Sequence, residues 1–481
     1  MNFSLSISAL SVIGSRLAVP CLNVLLVAAV ARMGGAESLG QYTLLVTLFI
    51  LCENLKSCGL TTLLTREVAA STEAGLSCYP SIVRIGLLGS VPATAFLLGV
   101  LAISRASESV MLSGCVLSLA LIPSSFVLAG DALLLGIGRA PWSMFLAIGE
   151  NLARLVTSCV WVLLFHGGLI GLAVIYASGR LIAACAQSMM VRRLVAVPCH
   201  NRELTLRLLK QAGPFFVVFA APLLLFKLDV VLVGVFRGDT AVGVYSAAMR
   251  LAAIWFVVPD GLMTATLVRL ARFHVEDKAE QFRLLVDRTV RFLNIVMLPI
   301  AAATALLGRV ISHAVFGDRL QSSLPLLDVL SWTIVPYALC RTFGDTLIAA
   351  NRQSILARII LIAMGLSAVC YVVLIRYAGD AGAAWAFLLS TITLCSLTAW
   401  QVVVKDRLLP PAVFWRGLAP SLLGLTATLA YRSGGRIASV TLFTLAGCLV
   451  ANQLLNEWKL RQNRRILRLS ALPPLNLESA K

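Results

Sequence analysis

Apolar tracts of about 20 residues, the length that crosses a bilayer as a helix, follow one another along this chain. The 481 residues hold fourteen of them, from Ser8–Val30 to Ile437–Leu455. In hydrocarbon a backbone must satisfy its own hydrogen bonds, and only helices and closed barrels do so. Tracts this long predict helices: an all-α polytopic membrane protein with about 14 transmembrane helices. Charged residues are only 13% of the chain and hydrophobic ones 59%, with a mean hydropathy of +0.91. A soluble globular enzyme, with a charged share nearer a quarter, is excluded. The first tract has no basic leader region and no small-residue cleavage site, so it is expected to remain as a helix.

Thirteen charged side chains nevertheless lie inside these tracts. Seven are basic: Arg16, Lys56, Arg154, Arg180, Lys227, Arg250 and Arg341. Six are acidic: Glu53, Glu150, Asp229, Asp260, Asp328 and Asp345. Facing lipid, they would together cost about 30–45 kcal/mol on the insertion scale, several times the net stability of a fold. They must face a polar interior, which makes a charged cavity the expected centre of the molecule.

Lys and Arg in the connections set the orientation. With the N-terminus inside, the connections and tail on the inner side hold twenty-five of them and the outer connections eight. Both termini are thus expected in the cytoplasm, and the net charge of +18 is explained by basic loops at an anionic leaflet, without nucleic acid. The twelve cysteines and four histidines show no ligand spacing, so no metal is expected. There is no GxxxxGK phosphate loop, hence no nucleotide cofactor.

The chain repeats itself weakly. NVLLVAAVARMGGAESLGQY from Asn23 parallels DVVLVGVFRGDTAVGVY from Asp229, and GLTTLLTREVA from Gly59 parallels GLMTATLVRLA from Gly261. DALLLGIGR from Asp131 parallels DTLIAANR from Asp345, and GLIGLAV from Gly168 parallels DAGAAWA from Asp380. Six spans separate the copies, so two six-helix lobes in the same orientation are expected, related by an axis along the membrane normal. The expected divisions are residues 1–193 and 212–410 for the lobes and 194–211 for a cytoplasmic linker. Residues 411–457 would form two further helices and 458–481 a basic tail.

The first tract with Arg16, VARMGGAESLGQY, GLTTLLTREVA, KLDVVLVGVFRGDTAVGVYSAAMRLA and FGDRLQSSLPLLDVLSW resemble the polysaccharide flippases (Wzx-type) of the multidrug/oligosaccharidyl-lipid/polysaccharide exporter superfamily. The similarity runs over essentially the whole chain. It implies movement of an undecaprenyl-pyrophosphate-linked oligosaccharide, such as an O-antigen unit, across a bacterial inner membrane. A polysaccharide polymerase and a chain-length regulator are the further partners it implies. Related lipid II flippases carry an arginine at the place of Arg16, which makes that residue the first substrate contact by resemblance.

A pyrophosphate needs several cationic donors, and Arg presents a planar fork for it. Arg154, Arg180, Lys227, Arg250, Lys56 and Arg341 are the further lining residues expected. Glu53 with Lys56, Glu150 with Arg154 and Arg341 with Asp345 share helical faces and are expected to pair. Glu53, Glu150, Asp229 and Asp260 either exchange a coupling ion or balance the arginines; spacing leaves both open. A drug or cation antiporter of the same superfamily is the main alternative, although basic groups outnumber acids in the tracts. A membrane-embedded polymerase or ligase would need a large catalytic outer loop, and these loops are short.

Overall fold

The computed structural model describes residues 3–57, 59–70, 72–192, 224, 226–406, 408–409, 419, 422–428 and 430. Among these residues the regular structure is helical throughout. Eight helices are long and apolar enough to cross a membrane, nine with the bent pair Glu108–Leu119 and Leu121–Gly136. The order is α1 Phe3–Ser57, α2 Leu60–Ala70, α3 Thr72–Ile103, α4 Glu108–Leu119, α5 Leu121–Gly136, α6 Ala140–Leu164 and α7 Leu169–Arg192. There follow α8 Leu228–Arg237, α9 Asp239–Ala253, α10 Val257–Val275, α11 Ala279–Leu306, α12 Gly308–Phe316, α13 Leu324–Leu330, α14 Ile334–Ala349 and α15 Gln353–Trp400. The expected linker 194–211 and tail 458–481, and most of 411–457, lie outside the described residues.

Two of these helices each contain two apolar tracts. α1 breaks at Gly35 (φ 70°, ψ −161°) and α15 at Gly379 (φ 59°, ψ −134°). Gly35 has a partner later in the chain: Gly238, between α8 and α9, has φ 80° and ψ −176°. Only glycine takes this backbone geometry without strain, so each glycine ends one span and starts the next. The spacing from Gly35 to Gly238 is also that from Gly40 to Gly243.

Burial is inverted relative to a soluble protein. Large apolar side chains such as Leu88, Val91, Ile182 and Val369 point outward, where lipid solvates them. The interior mixes one continuous apolar cluster, including Phe49, Tyr245, Trp332 and Phe343 from both halves of the chain, with buried Glu53, Lys56, Asp229, Asp328 and Asp345. Asp328, near the start of its apolar tract, is buried with them.

The halves meet most closely where α1 crosses α9. A Cβ at Gly40 would fall 1.7 Å from the carbonyl oxygen of Asp239, and one at Gly243 1.8 Å from that of Ala36. Ala36 and Asp239 are again separated by the spacing that relates the glycines. The crossing is therefore reciprocal, as a two-fold relation between the halves requires, and two side-chain-free positions let the backbones touch.

Candidate functional site

From this crossing a cavity of about 470 Å³ runs along α1 and α9 between the halves. Helical periodicity explains its walls. Tyr42, Val46, Glu53 and the threonines between them share a face of α1; Glu150, Asn151 and Arg154 face it from α6, and Tyr176, Arg180, Ala183 and Gln187 from α7. From the second half come Ser246, Met249, Arg250 and Ala253 on α9, with Lys227 and Asp229 at the start of α8.

The first-half wall is tied together. Arg180 binds Glu53 through one guanidinium nitrogen and Glu150 through the other, at 3.2 Å. Arg154 stands 3.9 Å from Glu150 and places its guanidinium 4.3 Å from the Tyr176 ring centre, a cation–π distance. Asp131 of α5 accepts from Ser143 at 2.5 Å and from Gln187 at 2.8 Å.

The second-half wall is different. Asp229 is 1% exposed, and its oxygens accept from the Val230 amide and the Tyr245 hydroxyl, both at 2.7 Å. Lys227 makes no ion pair among the described residues. Arg250 makes none there either; it reaches only the Thr43 hydroxyl at 3.5 Å, a marginal bond, and its Nε has no partner. Among the described residues neither cation is in an ion pair, although Asp229 is close enough to act on Lys227 electrostatically.

Of the eleven residues expected at the site, Glu53, Glu150, Arg154, Arg180, Lys227, Asp229 and Arg250 line this cavity. The Arg16 side chain lies outside the described residues. Lys56 does not line it: its ammonium donates to the hydroxyls of Ser124 at 2.7 Å and Ser125 at 2.8 Å, and to the Leu121 carbonyl. The expected Glu53–Lys56 pair is absent, because three residues of helix turn Lys56 toward α5 while Glu53 meets Arg180. Arg341 and Asp260 also lie off the cavity. They pair with each other at 3.2 Å, and Arg341 meets Asp345 at 3.1 Å as its spacing required; Tyr337 donates to Asp260 at 3.2 Å.

Asp131 is a lining residue that the apolar tracts do not include, since it lies just past the end of the fourth one; its place at the head of the repeat DALLLGIGR is the signal that points to it. With Asp131 included, four basic and four acidic side chains line the described cavity. The basic excess within the apolar tracts is not an excess in the cavity: charge balance there is even, and polarity comes from which groups are paired. Among the described residues no cluster of metal-ligating side chains occurs.

The profile of a family described as polysaccharide biosynthesis protein matches residues 7–268, more than half of the chain. The chain belongs to that family. The MatE profile matches residues 214–373 of this family member, which places it in the exporter superfamily its motifs resemble. A probable flippase, AglR, of Haloferax volcanii is 28% identical over 228 residues. That match covers 46% of this family member and 48% of the relative, so the chain spans about half the length of the curated protein it matches. Two solved structures share the fold. The lipid II flippase MurJ in an inward closed conformation gives a TM-score of 0.71 at 12% identity, covering 93% of this chain and 99% of that one. An inward-facing multidrug resistance MATE family transporter gives 0.68 at 14% identity, covering 82% and 98%. These proteins are transporters and a flippase, not enzymes.

Proposed function

We propose that this family member is a flippase for an isoprenoid-pyrophosphate-linked oligosaccharide, with undecaprenyl as the carrier, working by alternating access through the central cavity. The observation that carries the reading is the unpaired state of Lys227 and Arg250 on the second-half wall. Two like charges partly withdrawn from water repel each other; Asp229 offsets part of the Lys227 charge without an ion pair to it among the described residues, and an anionic headgroup bridging the two cations removes the repulsion. Arg250 supplies a bidentate fork and Lys227 a point charge, and Arg154, which meets Asn151 and the Tyr176 ring but has its carboxylate no nearer than 3.9 Å, lines the same cavity. Arg16, the first substrate contact that the resemblance implies, is proposed to act with them.

An antiporter of organic cations fits less well. Each described cavity carboxylate already accepts from a donor: Glu53 and Glu150 from Arg180, Asp131 from Ser143 and Gln187, and Asp229 from Tyr245. A cationic drug would have to displace them. The same bonds assign Glu53, Glu150 and Asp229 first to holding the walls. Ion coupling, if it runs through this cavity, enters at the Glu53–Arg180–Glu150 bridge, the point where one proton would release an arginine.

The excess of Lys and Arg in the opposite connections supports an outer-face position for the Gly40–Gly243 crossing in a cytoplasmic membrane. The closed outer crossing supports an inward-oriented resting state, poised to load from the cytoplasmic leaflet. A glycan released outside becomes the substrate of polymerisation, which makes a polymerase and a chain-length regulator the partners to seek. The test is complementation of a flippase-deficient strain, scored by surface polysaccharide. Wild type restores it, and Arg250→Gln and Arg16→Ala reduce it. A deletion strain with normal polysaccharide and new drug sensitivity would overturn the reading in favour of the antiporter.

A further inference from the structure

The first half of the chain lines a second, half-open cavity, beside the crossing and distinct from the central one. Its volume is about 820 Å³, within the roughly 300–1,000 Å³ of small-molecule sites. The two cavities follow each other along α1: Tyr42 and Thr43 line the central one, Ser38 and Gln41 the second. Their chemistry is opposite. Eight charged side chains line the central cavity, whereas no Lys, Arg, Asp or Glu lines the second among the described residues. Its polar groups are the hydroxyls of Ser38 and Ser109, the Gln41 amide and the His166 imidazole, beside the indole of Trp161.

That indole is fixed in place. Its Nε1 donates to the Gly168 carbonyl at 3.1 Å. A Cβ at Gly167 would lie 2.1 Å from the ring and one at Gly171 2.2 Å from it, so the ring rests directly on bare backbone. Any other residue at either position would lift it out. A rigid aromatic surface, hydroxyls, a planar amide and no charge form a specific combination. A phosphate finds no cation here. An acyl chain would cover these groups and offer them no hydrogen bond; Ser109 meets the Ser107 hydroxyl, at 3.1 Å, and the Gln41 amide the Glu37 carboxylate, at 3.5 Å. An uncharged sugar satisfies both sets of groups, with its hydroxyls on the polar side chains and its apolar C–H face on the indole.

We propose that this cavity is a saccharide subsite, binding uncharged sugar rings of the lipid-linked glycan against Trp161 while the central cavity holds the phosphate end. The proposal rests on the flippase reading for the identity of the glycan. It adds a second recognition element, at the outer end of the path and next to the crossing that must open for release. Phosphate chemistry is common to every such carrier lipid; the sugar is what differs, so discrimination between glycans falls to this pocket.

The test uses the purified full-length protein in lipid nanodiscs and two separate probes. One is the repeat-unit oligosaccharide of the producing cell, freed from its carrier by mild acid; the other is inorganic pyrophosphate. Saturation-transfer NMR on the oligosaccharide should show ring C–H protons in contact with the wild type. Affinity should fall about three- to tenfold in Trp161→Ala, the worth of one aromatic contact, and largely recover in Trp161→Phe. Ser109→Phe, which fills the cavity from an exposed position and leaves the indole's own residue unchanged, should lower it as well, and pyrophosphate binding should be the same in all three variants. Oligosaccharide affinity unchanged in both Trp161→Ala and Ser109→Phe overturns the subsite. So does loss of Trp161→Ala from the membrane with Ser109→Phe binding normally, which makes the indole an interfacial anchor. Trp161-dependent sugar binding without pyrophosphate binding by the wild type leaves the subsite standing and removes the reading of the central cavity.

Discussion

Gly40 and Gly243 hold the two halves of the chain in backbone contact: each lies where a single added carbon would strike a carbonyl oxygen of the opposite helix, 1.7 Å away at Gly40 and 1.8 Å at Gly243. An alanine at either position cannot be absorbed by a side-chain movement, since the obstacle is main chain. Overpacking of this kind costs about 1–3 kcal/mol, all of it charged to the closed crossing. Gly40→Ala is expected to raise the open fraction about fivefold or more. Labelling of Thr43→Cys by an impermeant maleimide from outside, in a cysteine-free background, measures it. Unchanged labelling would show that the crossing does not gate the cavity.

A pair of arginines clasps the same end. Arg32, beyond the first span, donates through Nε to Val315 O at 3.0 Å and also binds Ala314 O, at the C-terminal end of α12. Arg319 returns the contact, donating to Met33 O at 2.7 Å just before the Gly35 break. Both cations sit at helix carbonyl ends, where the macrodipole favours them. The contacts of this clasp involve no carboxylate or imidazole, so it should be indifferent to pH between about 5 and 9. Arg32→Ala with Arg319→Ala should add about 1 kcal/mol per contact toward opening, read by the same labelling. A clasp that loosens at the acid end of this range would show that a carboxylate or histidine closes it instead.

The Arg180 bridge makes an ordered prediction about stability. Removing Glu53 leaves Arg180 still bound to Glu150 at 3.2 Å, so Glu53→Gln should cost about 1–3 kcal/mol. Arg180→Ala leaves two carboxylates facing each other without their cation and should cost about 3–5 kcal/mol. Thermal unfolding in detergent should rank Arg180→Ala well below Glu53→Gln. The reverse order would mean that Glu53, not Arg180, is the keystone of this wall.

Lys56 separates structure from binding. Its ammonium is held by two serine hydroxyls and a carbonyl where α4 bends into α5 by 43°. Lys56→Met should lower stability by about 1–3 kcal/mol, the worth of the unsatisfied groups it leaves, with pyrophosphate affinity unchanged. A drop in affinity with stability intact would return Lys56 to the binding surface.

Much of the architecture was legible because hydrocarbon permits few solutions. Apolar length gave the helices, and the Gly-x-Tyr repeat pointed to Gly40 and Gly243 before their contact was known. Arg180 and Arg250 have no acidic residue three or four positions away; the first finds Glu53 from 127 residues away, and the second finds no carboxylate among the described residues. Pairing was the part that spacing could not supply. Glu53 and Lys56 are three residues apart, yet each turns to a different neighbouring helix, and Asp260 takes Arg341 from another span. Counting charges along the chain likewise could not show that Asp131 evens the balance in the cavity, since that depends on where α5 places a residue just beyond the end of its apolar tract.

The central claim is that unpaired cations on the second-half wall receive an anionic headgroup, and calorimetric titration of purified wild type and variants with pyrophosphate tests it most directly. Arg250→Gln with Lys227→Gln should weaken binding at least about tenfold, as loss of charge-assisted bonds worth about 1.5–3 kcal/mol each requires, while Arg341→Gln, off the cavity, should bind as wild type. Equal affinity in the wild type and the double variant would contradict the account.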